Sequence, residues 1–318
     1  MRIVILITVI VLQILIPLSL VLWLGLRYSA SKIDWAIRFL AVGCFTLWLF
    51  RAGNWAYLSY YARYLLLILF AVAAITSFMA MRSSPLFISN GFWWWATLSF
   101  RILLIVAFAS LAFLTFRARS YTDTAISLEY PLREGTYYVG HGGSNTTLNY
   151  HVAAPPQKYA LDIVALNGFG RRSAGFLPSD LEQYVIYGHT VYSPCSGEVI
   201  SVTDEMPDLT PPEMNSSQPA GNHIWIRQND VYIVLAHLMN GSITVKAGDR
   251  VERGQPIARV GNSGNTSEPH LHIHAVKFDA SPEINTAFLL RNGIAVPMLF
   301  QGRFLTRNDV FSVDNKFR

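Results

Sequence analysis

Residues 261–274 read GNSGNTSEPHLHIH, and this stretch decides how the second half of the chain folds. Its last five positions, His270-Leu271-His272-Ile273-His274, alternate polar and apolar side chains. Successive side chains of a β-strand point to opposite faces, so the three histidines share one face and Leu271 and Ile273 take the other. The Gly261-Asn262-Ser263-Gly264-Asn265 turn and the Glu268-Pro269 pair lead the chain into that strand. Three imidazoles on one face of an otherwise apolar strand are costly to bury unless they bind something, and a metal ion is the natural recipient.

Working outward, the neighbouring segments have the same texture. Short alternating runs at 190–194, 197–203, 223–227, 231–236, 242–246, 256–260 and 270–276 are separated by Gly, Pro, Asn and Asp. Such spacing predicts an all-β domain built on an antiparallel sheet or sandwich. Two long stretches interrupt it: 166–189, with a helical turn expected at 178–183, and the Pro-rich 204–221. Loops of this length inside a compact domain are more often functional than incidental.

Further polar residues stand in apolar surroundings. Asp162 interrupts Tyr159-Ala160-Leu161-Asp162-Ile163, where an unpaired carboxylate is expensive to bury and a cation beside it would offset the cost. His237 does the same in Val234-Leu235-Ala236-His237-Leu238, and His151 follows Asn149-Tyr150. A catalytic zinc site needs three protein ligands and one open position, and these residues with the His-rich strand are the candidates.

The first half is a different material. Residues 1–120 hold ten Lys/Arg against one acid, Asp34, while the rest of the 318 residues hold fifteen against nineteen. All eight histidines lie beyond residue 120, and seven of the eight tryptophans lie before it. The formal net charge of +5 and pI near 9.2 are therefore an average of two unlike halves, which removes the case for a nucleic-acid partner. Apolar runs at about 3–26, 33–50, 64–80 and 92–116 meet or approach the roughly 20 residues that span a bilayer, predicting an all-α transmembrane bundle of four helices. The second run carries Asp34 and Arg38 near its start, and Arg101 in the fourth is expected to snorkel outward or pair within the bundle. The first run is too long for a typical signal core and ends in a poor cleavage site, Gly25-Leu26-Arg27, so it reads as retained. Basic residues divide almost evenly between the two sides and do not set the orientation. Cys44 lies in a membrane run and Cys195 in the second half, so no disulfide is expected, and Cys195 reads as a small buried residue.

Several segments occur in an order that resembles the lysostaphin/LytM-type zinc metallopeptidases, bacterial endopeptidases that cut peptide bonds in peptidoglycan. They are Asn149-Tyr150-His151, Gln157 to Asp162, Tyr192-Ser193-Pro194 with Gly197-Glu198-Val199, Gln218 to Asn222, Leu235 to Leu238, Val245 to Val251 with Gly254-Gln255, and Gly261 to His272. The resemblance covers about 135–280. It implies that Asp162 and His272 are zinc ligands and that His237 and His270 stand beside the reacting water and carbonyl. Most family members place the first ligand four residues before the aspartate, where this chain has Lys158. His151, in the Asn-x-His context of a subset of the family, is the expected replacement. His274 has no assigned role beyond a contact on the outer side of the ligands.

The resulting partition is a membrane domain over 1–118, a polar linker over 119–134, a peptidase domain over 135–280 and a C-terminal extension over 281–318 packed on it. The family implies a peptidoglycan substrate, so the peptidase domain is expected on the outer face of the bacterial cytoplasmic membrane. The lipid bilayer is then one partner, and a further membrane or cell-wall partner has no sequence signal. Two other readings stay open. Lys158 at the usual ligand position suits an inactive domain serving as a binding or regulatory module. Val245 to Val260 also resembles the hairpin of biotinyl or lipoyl carriers, though without their exposed lysine tip.

Overall fold

A computed structural model describes residues 2–88, 91–278 and 293–313. The chain divides into two compact units, one of Met1–Trp55 and Ser59–Phe116, the other of Ala56–Leu58 and Arg117–Arg318.

The first unit is helical. Helices α1 (Arg2–Ile10) and α2 (Ile16–Leu26) run together through a π turn at Val11–Leu15, followed by α3 (Lys32–Ala52), α4 (Ala62–Met81) and α5 (Phe92–Arg117). Pro17 lies just after the π turn, and its missing N–H is a sufficient cause for the local widening. Four stretches, Arg2–Leu26, Lys32–Ala52, Ala62–Met81 and Trp94–Arg117, are long and apolar enough to cross a membrane. Asp34 and Arg38 of the second stretch are paired inside the unit. Arg38, 1% exposed, donates to the Arg27 carbonyl (2.7 Å), Ser29 Oγ (2.7 Å) and Asp34 Oδ2 (2.9 Å). Arg101 bonds the other Asp34 oxygen, so it pairs within the bundle, and one carboxylate bridges two arginines.

The second unit carries strands β1 (Ile126–Leu128), β2 (Thr136–His141), β3 (Leu161–Leu166), β4 (Thr190–Tyr192), β5 (Gly197–Thr203), β6 (Asn222–Gln228) and β7 (Val231–Leu238). It continues with β8 (Arg250–Val251), β9 (Pro256–Arg259), β10 (Leu271–Lys277), β11 (Ile294–Val296), β12 (Met298–Phe300), β13 (Arg303–Phe304) and β14 (Val310–Ser312). The main sheet has the order β14-β2-β3-β10-β7-β6-β5-β8, with β11 also on β10, and its pairings are antiparallel. Leu161, Ile163, Ile224, Ile233, Leu235, Leu271 and Ile273 pack on one face in the principal core. Each such aliphatic burial contributes about 1.5–3 kcal/mol. The opposite face of the same strands carries Asp162, His272 and His274, with Trp225, Tyr232, Val234 and Val276 clustered beyond them. The 2-residue period thus separates the core from the site.

Some sequence expectations change. Residues 242–246 do not form a strand: Thr244 N–H reaches the Ile257 carbonyl of β9 (3.0 Å), but the Ile243 and Lys246 amides go to the carboxylates of Asp204 (3.1 Å) and Asp249 (2.9 Å), so no ladder continues. The strand with the histidines begins at Leu271, since His270 is engaged with the preceding turn. The turn expected at 178–183 is a short 3-10 segment, Leu181–Gln183. In the C-terminal stretch 281–318, residues 281–292 and 314–318 lie outside the described residues. β11 and β14 join the main sheet itself. Cys195 is 1% exposed, and burial pushes its thiol up to about 12, which suits a packing residue and not a nucleophile.

Candidate metal centre

β10 lies between β3 and β7, in a register that sets His272 directly opposite Asp162 on one side and Ala236 on the other. His151 arrives from a 3-10 turn, Tyr150–Ala153, capped by Asn149, whose Oδ1 accepts from the His151 amide at 3.1 Å. The Asn149 amide group donates to the carbonyls of Gly143 (2.9 Å), Lys158 (3.1 Å) and Ala160 (3.1 Å). One fully buried side chain therefore fastens the turn to the segment entering β3, which explains physically why an asparagine precedes this histidine by two.

Asp162 is the hub. Its oxygens lie 2.9 and 3.0 Å from His151 Nε2, and Oδ1 lies 2.9 Å from His272 Nδ1. The Tyr150 hydroxyl donates to Oδ2 at 3.1 Å. His151, Asp162 and His272 are all buried, and each offers a ligand atom within 4.8 Å of the others. Zinc bonds of about 2.0–2.2 Å in tetrahedral geometry hold neighbouring ligand atoms roughly 3.4 Å apart, so the His151 and His272 nitrogens, each 2.9 Å from an Asp162 oxygen, need to draw back from it by only about half an ångström. Two imidazoles, a carboxylate and an outer imidazole on His272 Nε2 (His274 Nδ1, 2.9 Å) are a donor set that fits zinc.

His237 and His270 stand beside this trio, their ring centroids 4.7 Å apart, with His237 5.8 Å from His272. Both rings have their inner nitrogen fixed by a carbonyl. His237 Nδ1–H donates to the Ser263 carbonyl (2.9 Å) and His270 Nδ1–H to that of Glu268 (2.9 Å), so each Nε2 is left for the site. His237 has φ +62 at the end of β7, a left-handed conformation that a side chain adopts only when its surroundings enforce it. The turn delivering Ser263 needs two close backbone passages: a Cβ on Gly221 (φ +59) would meet Ser263 O at 2.2 Å, and one on Gly264 (φ +87) would meet Gly221 N at 2.4 Å.

His270 is steadied from behind. Arg172, 2% exposed, grips both oxygens of Glu268 at 2.7 and 2.6 Å, two residues before His270. Arg172→Ala leaves the Glu268 carboxylate without its partner, and an unfolding free energy lower by about 3–5 kcal/mol is expected in urea denaturation. The double variant Arg172→Ala/Glu268→Gln should recover part of that loss.

Burial holds most of these histidines neutral. His141, next to Arg307, is lowered to about 3 and His272 to about 4, while His189, His223, His237 and His274 are all shifted down, desolvation leading in each case. Burial acts against His270 too, but Asp162 outweighs it and raises that imidazole. Burial would likewise raise Asp162, yet His151 and His270 hold it well below the usual carboxylate range. The consequence for stability has a definite sign. A histidine depressed in the folded state binds its proton only on unfolding, so its contribution is lost as pH falls below the unfolded value of about 6.5. His141 and His272, both neutral at pH 5, each cost about 2 kcal/mol there. His270 works oppositely, and the Asp162 contribution is lost only as pH falls below the unfolded carboxylate value near 3.9. The chain in chelator should therefore lose stability steadily from pH 7 to pH 5, and denaturation midpoints independent of pH would contradict this.

The structure thus brings together all five expected residues, His151, Asp162, His237, His270 and His272. Lys158 turns away, to Asp123 (3.5 Å) and the Tyr159 ring (4.7 Å). Of the two long interrupting loops, 204–221 lines the cleft through Met206 and Ser217 to Gly221, while 166–189 supplies Arg172. Sequence reasoning missed Tyr150, whose only signal was its place beside His151, and His141, set opposite Asp162 by a bulge in β2. It also missed Arg172, whose pairing spans 96 residues.

With this geometry in place, the similarities to known proteins can be stated. Residues 182–283 match Peptidase family M23. This chain carries a peptidase M23 domain. His237, His270 and His272 fall within the matched M23 stretch, and His151 and Asp162 precede it. Peptidoglycan DD-endopeptidase ShyA of Vibrio cholerae is 39% identical over 57 residues, which are 18% of this chain and 13% of that protein. ShyC of the same organism, also a peptidoglycan DD-endopeptidase, is 42% identical over 53 residues, 16% of this chain and 12% of that protein. The chain thus spans about an eighth of the length of these curated relatives. Among solved structures, a zinc-containing peptidase from Vibrio cholerae is 28% identical, covering 36% of this chain and 27% of that one at a TM-score of 0.24. The catalytic domain of lysostaphin from Staphylococcus simulans is 25% identical, covering 36% and 74% at a TM-score of 0.23.

Proposed function

We propose that this protein is a membrane-held zinc metalloendopeptidase that hydrolyses peptide bonds in the stem or cross-link peptides of peptidoglycan. The observation that carries the reading is the buried His151–Asp162–His272 trio with two further imidazoles presenting Nε2 beside it. The two relatives, named as peptidoglycan DD-endopeptidases, support the substrate class. Peptidoglycan lies outside the cytoplasmic membrane, so the M23 domain is assigned to the outer face, anchored by the four apolar helices.

His151, Asp162 and His272 would hold the zinc. When bound, zinc lowers the pKa of water towards about 7 and polarises a carbonyl. His237, neutral by burial and with its Nδ1–H committed to Ser263, offers the Nε2 lone pair that accepts a proton from the attacking water. His270, raised by Asp162 and with its Nδ1–H on Glu268, donates from Nε2 to the oxygen on which negative charge develops. The 204–221 loop walls the cleft of about 720 Å³ in which the peptide would lie. His151 beside Asp162 favours this active reading over the inactive module, whose support was Lys158 alone.

The test uses the full chain in detergent: zinc per chain by atomic emission, and release of soluble fragments from purified murein. One zinc and hydrolysis are expected. His237→Ala and His270→Ala should each keep the zinc and lose about 10²- to 10³-fold in rate. A zinc-free wild-type chain, or a double variant as active as wild type, overturns the proposal.

A further inference from the structure

The cleft does not end at the metal centre. It runs on across β7 and β6, past Ala236 and Val234, to His274, His223 and Thr203. His223 sits two strands from His272, where β6 is bulged between Asn222 and Ile224. His223 is 5% exposed and His274 2%, and the Nε2 atom of each is buried with no hydrogen-bond partner among the described residues. An unpaired buried polar atom costs about 1–3 kcal/mol, so two lining one cleft mark a place where a ligand restores the bonds.

The hydrogen-bond sense of each atom follows from the other nitrogen of its ring. His223 Nδ1–H donates to the Gly221 carbonyl at 2.7 Å, which leaves Nε2 as an acceptor. His274 Nδ1 faces His272 Nε2 at 2.9 Å, while His272 Nδ1 is the atom beside Asp162. With a cation held on its Nδ1, the His272 ring would carry its proton on Nε2 and donate it to His274 Nδ1. The His274 proton then sits on its own Nε2, as a donor into the cleft. The described residues lining the cleft, Asp162 not being among them, include no Asp, Glu, Lys or Arg. A carboxylate bound there would face the acceptor on His223 with no lysine or arginine of the cleft wall to pair with it.

We propose that His223 and His274 form a subsite that takes a neutral substrate group able to donate and accept at once, a primary carboxamide on the peptide, in preference to the free carboxylate. This rests on the peptide-hydrolase reading. Metal ligation at His272 supplies the donor half, so the same event that readies the reaction also completes the recognition.

Two measurements on the full zinc-loaded chain in detergent test it. In the first, soluble disaccharide peptides from muramidase-digested murein are assayed as isolated and after carbodiimide-coupled amidation of their free carboxyls. The amidated set should be cleaved with a kcat/KM at least about tenfold higher, because a site built to hydrogen-bond a group rejects its unmatched analogue. That ratio should fall towards one in His223→Phe and be kept in His223→Gln and His274→Gln, with one zinc per chain throughout. A preference for the free carboxyl, or a ratio unchanged in His223→Phe, overturns the proposal. In the second, histidine-15N NMR reads the ring protons without any turnover. Zinc should move the His274 proton to Nε2 and leave His223 protonated on Nδ1, and added propionamide, unlike propionate, should shift both Nε2 signals. Equal response to propionate, or no change at His274 on zinc binding, refutes the subsite even if the chain proves inert on murein. Absence of hydrolysis with both NMR responses intact removes only the peptidase reading.

Discussion

Asp162→Ala is expected to yield a chain that binds no stoichiometric zinc and has lost at least about a thousandfold of its murein hydrolysis, since a metal Lewis acid is worth several kcal/mol in the transition state. Asp162 contacts every other member of the trio: His151 Nε2 at 2.9 Å and His272 Nδ1 at 2.9 Å both converge on it. Removing it deletes the anionic ligand and the group that sets those two rings, so zinc affinity should fall well beyond the roughly 10- to 100-fold cost of losing an outer partner. The fold should survive at pH 7, because the imidazoles left behind need not be charged; His272 is held near 4. Zinc content by atomic emission, with circular dichroism as the control for folding, checks this. A folded Asp162→Ala chain with one tight zinc would remove the centre from the mechanism.

His151→Ala and Lys158→Ala are expected to differ as sharply as two neighbouring substitutions can. His151→Ala should cost zinc and activity on the scale of Asp162→Ala, whereas Lys158→Ala should leave both within about twofold, as for an exposed side chain whose ion pair is worth about 0–1 kcal/mol. The reason is the direction of each side chain. His151 is 7% exposed and aimed at the Asp162 carboxylate, while Lys158 is paired with Asp123 at the surface. Isothermal titration of zinc into chelator-stripped protein gives the comparison, and equal zinc losses in the two variants would be the contrary result.

The sheet and four of the five site residues, Asp162, His237, His270 and His272, were legible in local pattern. In a strand, His-Leu-His-Ile-His has one reading, with Leu271 and Ile273 in the core and His272 and His274 on the other face, as observed. Asp162 was legible because a carboxylate inside an apolar strand requires a counterpart. The His151 turn was not legible in that way, since its approach depends on Asn149 bonding three carbonyls spread from Gly143 to Ala160. The Arg172 clamp on Glu268 was hidden for the same reason, being one contact across 96 residues. The 242–246 segment was misread because its alternation is real, but only the Thr244 amide reaches a strand, at Ile257 of β9, while those of Ile243 and Lys246 go to the carboxylates of Asp204 and Asp249.

By itself the sequence determined what periodicity and hydropathy control: helices long and apolar enough to span a bilayer, a sheet with one apolar face, and histidines gathered on the other. Only the tertiary structure decided which histidine completes the trio with Asp162 and His272, which lysine is turned aside, how Asp34 bridges Arg38 and Arg101, and which buried imidazole nitrogens of the cleft residues keep no partner among the described residues. Local pattern fixes the face on which a side chain lies. Proximity between residues tens of positions apart is fixed by strand register and by buried hydrogen bonds, and these exist only once the chain has closed on itself.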